Sequence, residues 1–144
     1  MAGVLVVDAS VTLKWLLPEV DSAAAMALIG RRALAAPELM LVEAANALAT
    51  RVRRRELNPL EARTSLMDLY AIQIDFVADH HLVPAALSLA AALEHPVHDC
   101  LYLALALERS AIAVTADRRF VSAVNAHPYL TGRVRLLHDP AEGF

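Results

Sequence analysis

A chain of 144 residues with one Cys, a net charge of -3 and a pI near 6.0 has the length of a single domain, excludes a disulfide framework, and is not built to coat nucleic acid by bulk positive charge. An apolar fraction of 58% and a mean hydropathy of +0.46, carried mainly by Ala, Leu and Val at helical spacing, point to a sheet covered on both faces. The longest run without Asp, Glu, Lys or Arg, His80 to Leu93, is too short and too broken by Pro84 to span a bilayer, and Asp8 interrupts the only N-terminal apolar run. The expectation is therefore a protein without membrane segment or secretory signal, in a reducing cytoplasm that suits the lone Cys100.

Gly3 to Val7 is a run of β-branched residues and Leu that reads as a buried strand, and Ala9 to Leu17 carries helical spacing until Pro18 stops it. Ser22 to Arg32 reads as a second helix and Leu34 to Ala36 as a short strand. Pro37 suits the opening of a long helix reaching Arg55, and Asn58-Pro59 opens the next, Pro59 to Ala71. Gln73 to Val77 suits a strand and Leu82 to Leu93 a helix, with Pro96 marking a break. Val97 to Arg109 is then helical, Ala111 to Thr115 a strand, Arg118 to Asn125 a short helix and Arg133 to Leu137 a last strand. Strands alternating with helices, without repeat, linker or low-complexity tract, predict one α/β domain over residues 1–144: a doubly wound sandwich with a largely parallel sheet.

Four carboxylates stand in strongly apolar surroundings: Asp8 in VLVVDAS, Glu43 in LVEAANAL, Asp99 in PVHDCLYLALA and Asp117 in IAVTADRRF. Each has a plainer role. Asp8 with Ser10 and Asp117 can cap the helices that follow them, and Glu43 can sit in a first turn favoured by the helix dipole. Burying unpaired charges is costly, however, and one shared divalent cation accounts for all four acids together. Asp8 and Asp117 end strands, so they converge if those strands are neighbours where the strand order reverses. Glu43 and Asp99 then come in from helices. Glu43, Asn46, Ala47 and Thr50 share one helix face, which sets an amide beside the acid, while Thr115 is placed to hydrogen-bond a ligated water or a neighbouring carboxylate. Acids gathered in this way are expected to raise one another's pKa by repulsion until a cation enters.

Twelve of the thirteen basic residues are Arg, and Arg51, Arg53, Arg54 and Arg55 cluster at a helix end. Cations are favoured there by the dipole, and Arg51, Arg54 and Arg55 are equally candidates for contact with nucleic-acid phosphates or a protein partner. No G-x-G-x-x-G or P-loop follows the first strand, which disfavours dinucleotide and triphosphate cradles. A phosphoaspartate phosphatase or phosphotransfer domain also begins with strand-end acids. Its late active-site Lys is missing, since the only Lys is Lys14, and Ser10 stands where a D-x-D motif has its second acid. A non-catalytic RNA-binding or scaffold module is the remaining alternative, and a decayed site of that kind should have lost at least one acid. His95 and His98 with Asp99 could hold zinc, although Pro96 argues against helical presentation of the pair, and His98 reads better as a loop or cap residue. Cys100 and Trp15 read as core.

The segments VVDASVTLKWLLPE, APELMLVEAANAL, PVHDCLYLALAL and VTADRRF, in this order, resemble the signature segments of the PIN-domain ribonucleases, and within them the VapC-like toxins of toxin–antitoxin pairs. Arg55 to Leu93 contributes less, and His98 departs from the aromatic residue often found before the third acid. The resemblance implies a PIN-like α/β/α sandwich, an acidic quartet of Asp8, Glu43, Asp99 and Asp117 acting on Mg2+ or Mn2+, and close support from Ser10, Asn46 and Thr115. It implies that Asp8, Glu43 and Asp99 hold a first metal and that Asp117 holds a second or orients the attacking water. It further implies endonucleolytic hydrolysis of unpaired RNA to 3′-hydroxyl and 5′-phosphate ends, inhibition by a small VapB-like antitoxin whose helix fills an apolar groove, and a homodimer.

Overall fold

Residues 3–137 are described by the computed structural model, so residues 1–2 and 138–144 of the expected domain lie outside the described residues. Leu5–Val7 form β1, Ala9–Leu16 α1 and Ser22–Met26 α2, followed by β2 (Leu34–Pro37), α3 (Leu39–Arg53) and α4 (Pro59–Ala71). The chain continues through β3 (Ile74–Val77), α5 (Val83–Leu93), α6 (Val97–Glu108), β4 (Ile112–Thr115), α7 (Arg118–Asn125) and β5 (Val134–Leu136). All strand pairs are parallel, in the order β3-β2-β1-β4-β5, which is the predicted α/β class with its parallel central sheet.

Local chemistry explains most element ends. Asn58 accepts a hydrogen bond from the Glu61 amide while the Glu61 side chain accepts from the Asn58 amide, a reciprocal cap that starts α4 with Pro59 in its first turn. Two expectations need correction. The helix predicted over Ser22 to Arg32 ends at Met26, because Leu28 and Ile29 bond back three residues rather than four, Trp15 Nε1 takes the Ala25 carbonyl at 2.7 Å, and Gly30 turns the chain at φ +83°. Pro37 closes β2, paired with Val77, instead of opening α3.

Alternating side chains of β1 feed two apolar layers. Val6 joins the larger cluster with Met40, Ala44, Leu69 and the inward residues of α6, whereas Leu5 and Val7 face Val11, Ala25 and Leu28 on the other side. Helix α6 is buried continuously from Cys100 to Ala106, which accounts for its unbroken apolar run. Because β2 lies on one side of β1 and β4 on the other, the strand order reverses between β1 and β4, and their C-terminal ends lie side by side at the switch point where open parallel sheets bind ligands. Among the described residues, no helix is long and apolar enough to cross a membrane.

Candidate active site

Asp8 leaves the end of β1 and Thr115 the end of β4, on strands in register through Val7 and Val114. Asp8 is 7% exposed, and both of its oxygens are engaged: Ser10 Oγ donates to Oδ1 and Thr115 Oγ1 to Oδ2, each at 2.5 Å. Ser10 also accepts from the Ala116 amide at 2.9 Å, and Thr115 from the Asp117 amide at 3.0 Å, so the two strand ends are laced together around the acid. The capping role holds as well: Asp8 accepts from the Val11 amide at 3.3 Å, and Asp117 from the amides of Arg119 and Phe120 at 2.9 and 3.3 Å. Each of these acids therefore caps a helix with its carboxylate already placed at the switch point.

Glu43 stands in the second turn of α3, not the first, and accepts a hydrogen bond from the buried Tyr102 hydroxyl of α6 at 2.5 Å. Asp99 stands in the first turn of α6. Its charge acts on both Asp8 and Glu43, and its ligand atoms lie within 4.8 Å of those of Asp117 and His95, and likewise of Glu43 and His98. Pro96 is the N-cap of α6, which makes His98 the second helical residue rather than a loop residue, and leaves His95 in the preceding turn with Nε2 2.7 Å from Asp99 Oδ2.

Burial lifts the Asp8 carboxyl to about 6, against the opposing pull of the Ser10, Thr115 and Val11 hydrogen bonds, and the Asp99 charge adds the smallest part. Glu43 is raised by burial first, with the Tyr102 bond and nearby His98 opposing and Asp99 and Asp79 adding. The expectation that mutual repulsion sets these values is thus corrected for Asp8 and Glu43: removal from water dominates. Burial likewise raises Tyr102, which keeps it a donor to Glu43, and pushes the Cys100 thiol up to about 11, consistent with its core position.

Other singled-out residues fall differently. Asn46 is exposed on α3, and its side-chain amide makes no hydrogen bond among the described residues. Arg51 is held by Glu19 at 3.0 Å and Glu56 at 3.3 Å, whereas Arg54 and Arg55 are exposed without an ion pair among the described residues. At about 1.5 Å per residue, Arg51 lies about 12 Å along α3 from Glu43, and the rest of the cluster farther. Sequence reasoning missed Tyr102, hidden within an apolar run, and Asp79, whose Oδ1 accepts from the Leu39 amide at 3.2 Å to cap α3. It also passed over the exposed Arg118 and Arg119 beside Asp117, which the repeated Arg in TADRRF could have flagged.

The family model described as PIN domain matches residues 5–125. No curated protein matches the chain by sequence. Among solved structures, the protein PAE2754 from Pyrobaculum aerophilum superposes with a TM-score of 0.70 at 20% identity, covering 95% of this chain and 85% of its own. VapBC2 from Rickettsia felis, bound to a DNA fragment from its promoter, gives a TM-score of 0.63 at 14% identity, covering 92% and 98%. A toxin–antitoxin complex from Klebsiella pneumoniae gives 0.62 at 10% identity, covering 93% and 98%. At these identities the likeness is one of fold.

Proposed function

The chain belongs to the PIN-domain family, and from that membership we propose that it is a metal-dependent endoribonuclease, a VapC-like toxin that hydrolyses RNA phosphodiester bonds in the cytoplasm and is restrained by a VapB-like antitoxin. The observation that supports this reading is Asp99, whose ligand atoms lie within 4.8 Å of those of Glu43 and of Asp117 and whose charge acts on the buried Asp8 at the end of β1.

The donor set fits a divalent cation. Carboxylate oxygens are the ligands of Mg2+ and Mn2+, and two groups of three ligand atoms, each within 4.8 Å of one another, share Asp99. Asp8, Glu43, Asp99 and Asp117 would hold the ion, which when bound activates water and offsets charge on the phosphoryl oxygens. The chain's own residues do the positioning. Ser10 and Thr115 fix both oxygens of Asp8, Tyr102 fixes Glu43, and the apolar walls exclude bulk water from Asp8. Arg118 and Arg119 stand exposed beside Asp117, where cations suit an RNA backbone. Unpaired RNA can bend its backbone toward such a site. Phosphoaspartate chemistry is disfavoured, since the only Lys of the sequence, Lys14, is paired with Glu19 at 3.2 Å.

Partner binding has surface to work with. Ala45, Leu48, Ala49, Val52 and Leu66 line an apolar groove of about 580 Å3 between α3 and α4, suited to an antitoxin helix. Two of the superposed structures are of VapBC2 and of a toxin–antitoxin complex. For the proposed homodimer, α5 offers exposed Val83 and Leu87 on a charge-free helix. The test is RNA cleavage by wild type and Asp99→Asn with Mg2+, Mn2+ or EDTA. Cleavage that needs metal and falls at least about 100-fold in the variant supports the reading, since loss of a ligand should exceed loss of a ligand's support. Cleavage in EDTA, or an undiminished variant, refutes it.

A further inference from the structure

Asp99 is flanked by imidazole on both oxygens. His95 Nε2 lies 2.7 Å from Oδ2 and His98 Nε2 3.6 Å from Oδ1. The two rings belong to different ligand groups, His95 with Asp99 and Asp117, and His98 with Glu43 and Asp99, each group spanning no more than 4.8 Å. His95 is also held in place: its ring stacks on Phe120 with centroids 4.9 Å apart and planes 18° from parallel, and its side chain is only 12% exposed. Cations bound by one nitrogen and one oxygen at about 2.1 Å hold those atoms about 3.0 Å apart in octahedral and about 3.4 Å in tetrahedral geometry. The 3.6 Å between His98 Nε2 and Asp99 Oδ1 is close to the tetrahedral value, whereas His95 Nε2 and Asp99 Oδ2 at 2.7 Å share a hydrogen bond, which an ion entering between them would replace.

The His98 ring is not needed to fill the core, whereas the His95 ring packs on the buried Phe120. His98 is about half exposed, at 53% of its side chain, and it turns toward the acids Glu43 and Asp99. A neutral imidazole with its proton on Nδ1 presents a lone pair at Nε2, and nitrogen donors favour Mn2+ and later first-row ions over Mg2+, which keeps to oxygen. We propose that His95 and His98 are metal ligands of this centre, each sharing Asp99 with a second acid, and that they make it select Mn2+ over Mg2+. The proposal rests on the metal-dependent reading above and adds to it the identity of the ion and two nitrogen ligands.

The test is metal binding by the full chain, stripped with EDTA and exchanged free of chelator. Calorimetric titration with Mg2+ and with Mn2+ is run on wild type, His98→Gln, and His95→Gln combined with His98→Gln. Pulsed EPR of the Mn2+-loaded wild type reports nitrogen coupling directly and needs no variant. The expected results are 14N coupling of imidazole type, tighter binding of Mn2+ than of Mg2+, and a loss of roughly 10- to 100-fold in Mn2+ affinity in the double variant. Mg2+ affinity should change by less than about threefold. If the double variant fails to fold, His98→Gln alone should still lower Mn2+ affinity selectively, because its side chain is half exposed. Absence of nitrogen coupling, or equal losses for the two ions, overturns the proposal and leaves the histidines as supports of Asp99, with the nuclease reading intact. Failure of the wild type to bind either ion overturns both.

Discussion

Asp8→Asn tests how the site is held before a cation arrives. The wild-type carboxyl sits at about 6 in the folded chain against 3.8 for the ordinary group, so between these pH values the folded state binds more protons than the unfolded state. Stability therefore falls as pH rises through that window, and the full penalty is present above it. A rise of about two units corresponds to about 3 kcal/mol. Asn cannot ionise, yet its amide still meets the Ser10 and Thr115 hydroxyls, which can donate to its oxygen and accept from its nitrogen. In metal-free buffer the variant should thus gain on wild type by about 3 kcal/mol between pH 4 and pH 7.5, or about 6 to 12 °C in Tm for a chain of this length. Glu43 shifts in the same direction, but it is present in both proteins and cancels in the difference. Denaturant unfolding of both proteins at half-unit pH steps measures this directly. A difference that stays flat with pH, or a variant that loses ground as pH rises, refutes the claim that burial holds Asp8 up.

Tyr102→Phe removes the donor to Glu43 from a 1%-exposed position, and should cost about 1.5 to 3 kcal/mol at pH 7.5 by urea unfolding, together with a drop in cleavage rate. Replacing Arg54 and Arg55 with Gln in a cleavage-dead Asp99→Asn background should lower the slope of log binding constant against log salt for single-stranded RNA by about 1.4. An unchanged slope would assign those residues to solvent or a protein partner. Arg51→Gln should act on stability instead, because it unties Glu19 and Glu56. Asn58→Ala, which breaks the cap of α4, should cost about 1 kcal/mol in thermal unfolding without changing cleavage.

Local signals placed nearly every element within one or two residues, because helix caps, prolines and the alternation of apolar residues act over a few positions. Asp8 and Asp117 were legible as strand-end acids for that reason, and Asn58-Pro59 as a helix start. The helix from Ser22 was overextended because its early end is imposed by Trp15 from another helix, a contact that the Ala-rich sequence does not advertise. The exposure of Asn46 was not legible, because sharing a helix face with Glu43 does not say how far toward solvent that face has turned.

By itself, then, the sequence determined the α/β alternation, the helical cover of the sheet and the apolar settings of the four acids, since these follow from residue type and short-range spacing. Only the tertiary structure decided that β1 and β4 are neighbours, that ligand atoms of Asp99 come within 4.8 Å of those of Glu43 and of Asp117, and that His95 reaches Asp99 from the residues just before α6. It also decided that Arg51 is tied to Glu19 and that water is withdrawn from Asp8. Strand order, burial depth and side-chain partners are properties of distant segments brought together, and solvation acts on a carboxylate only after that packing is complete.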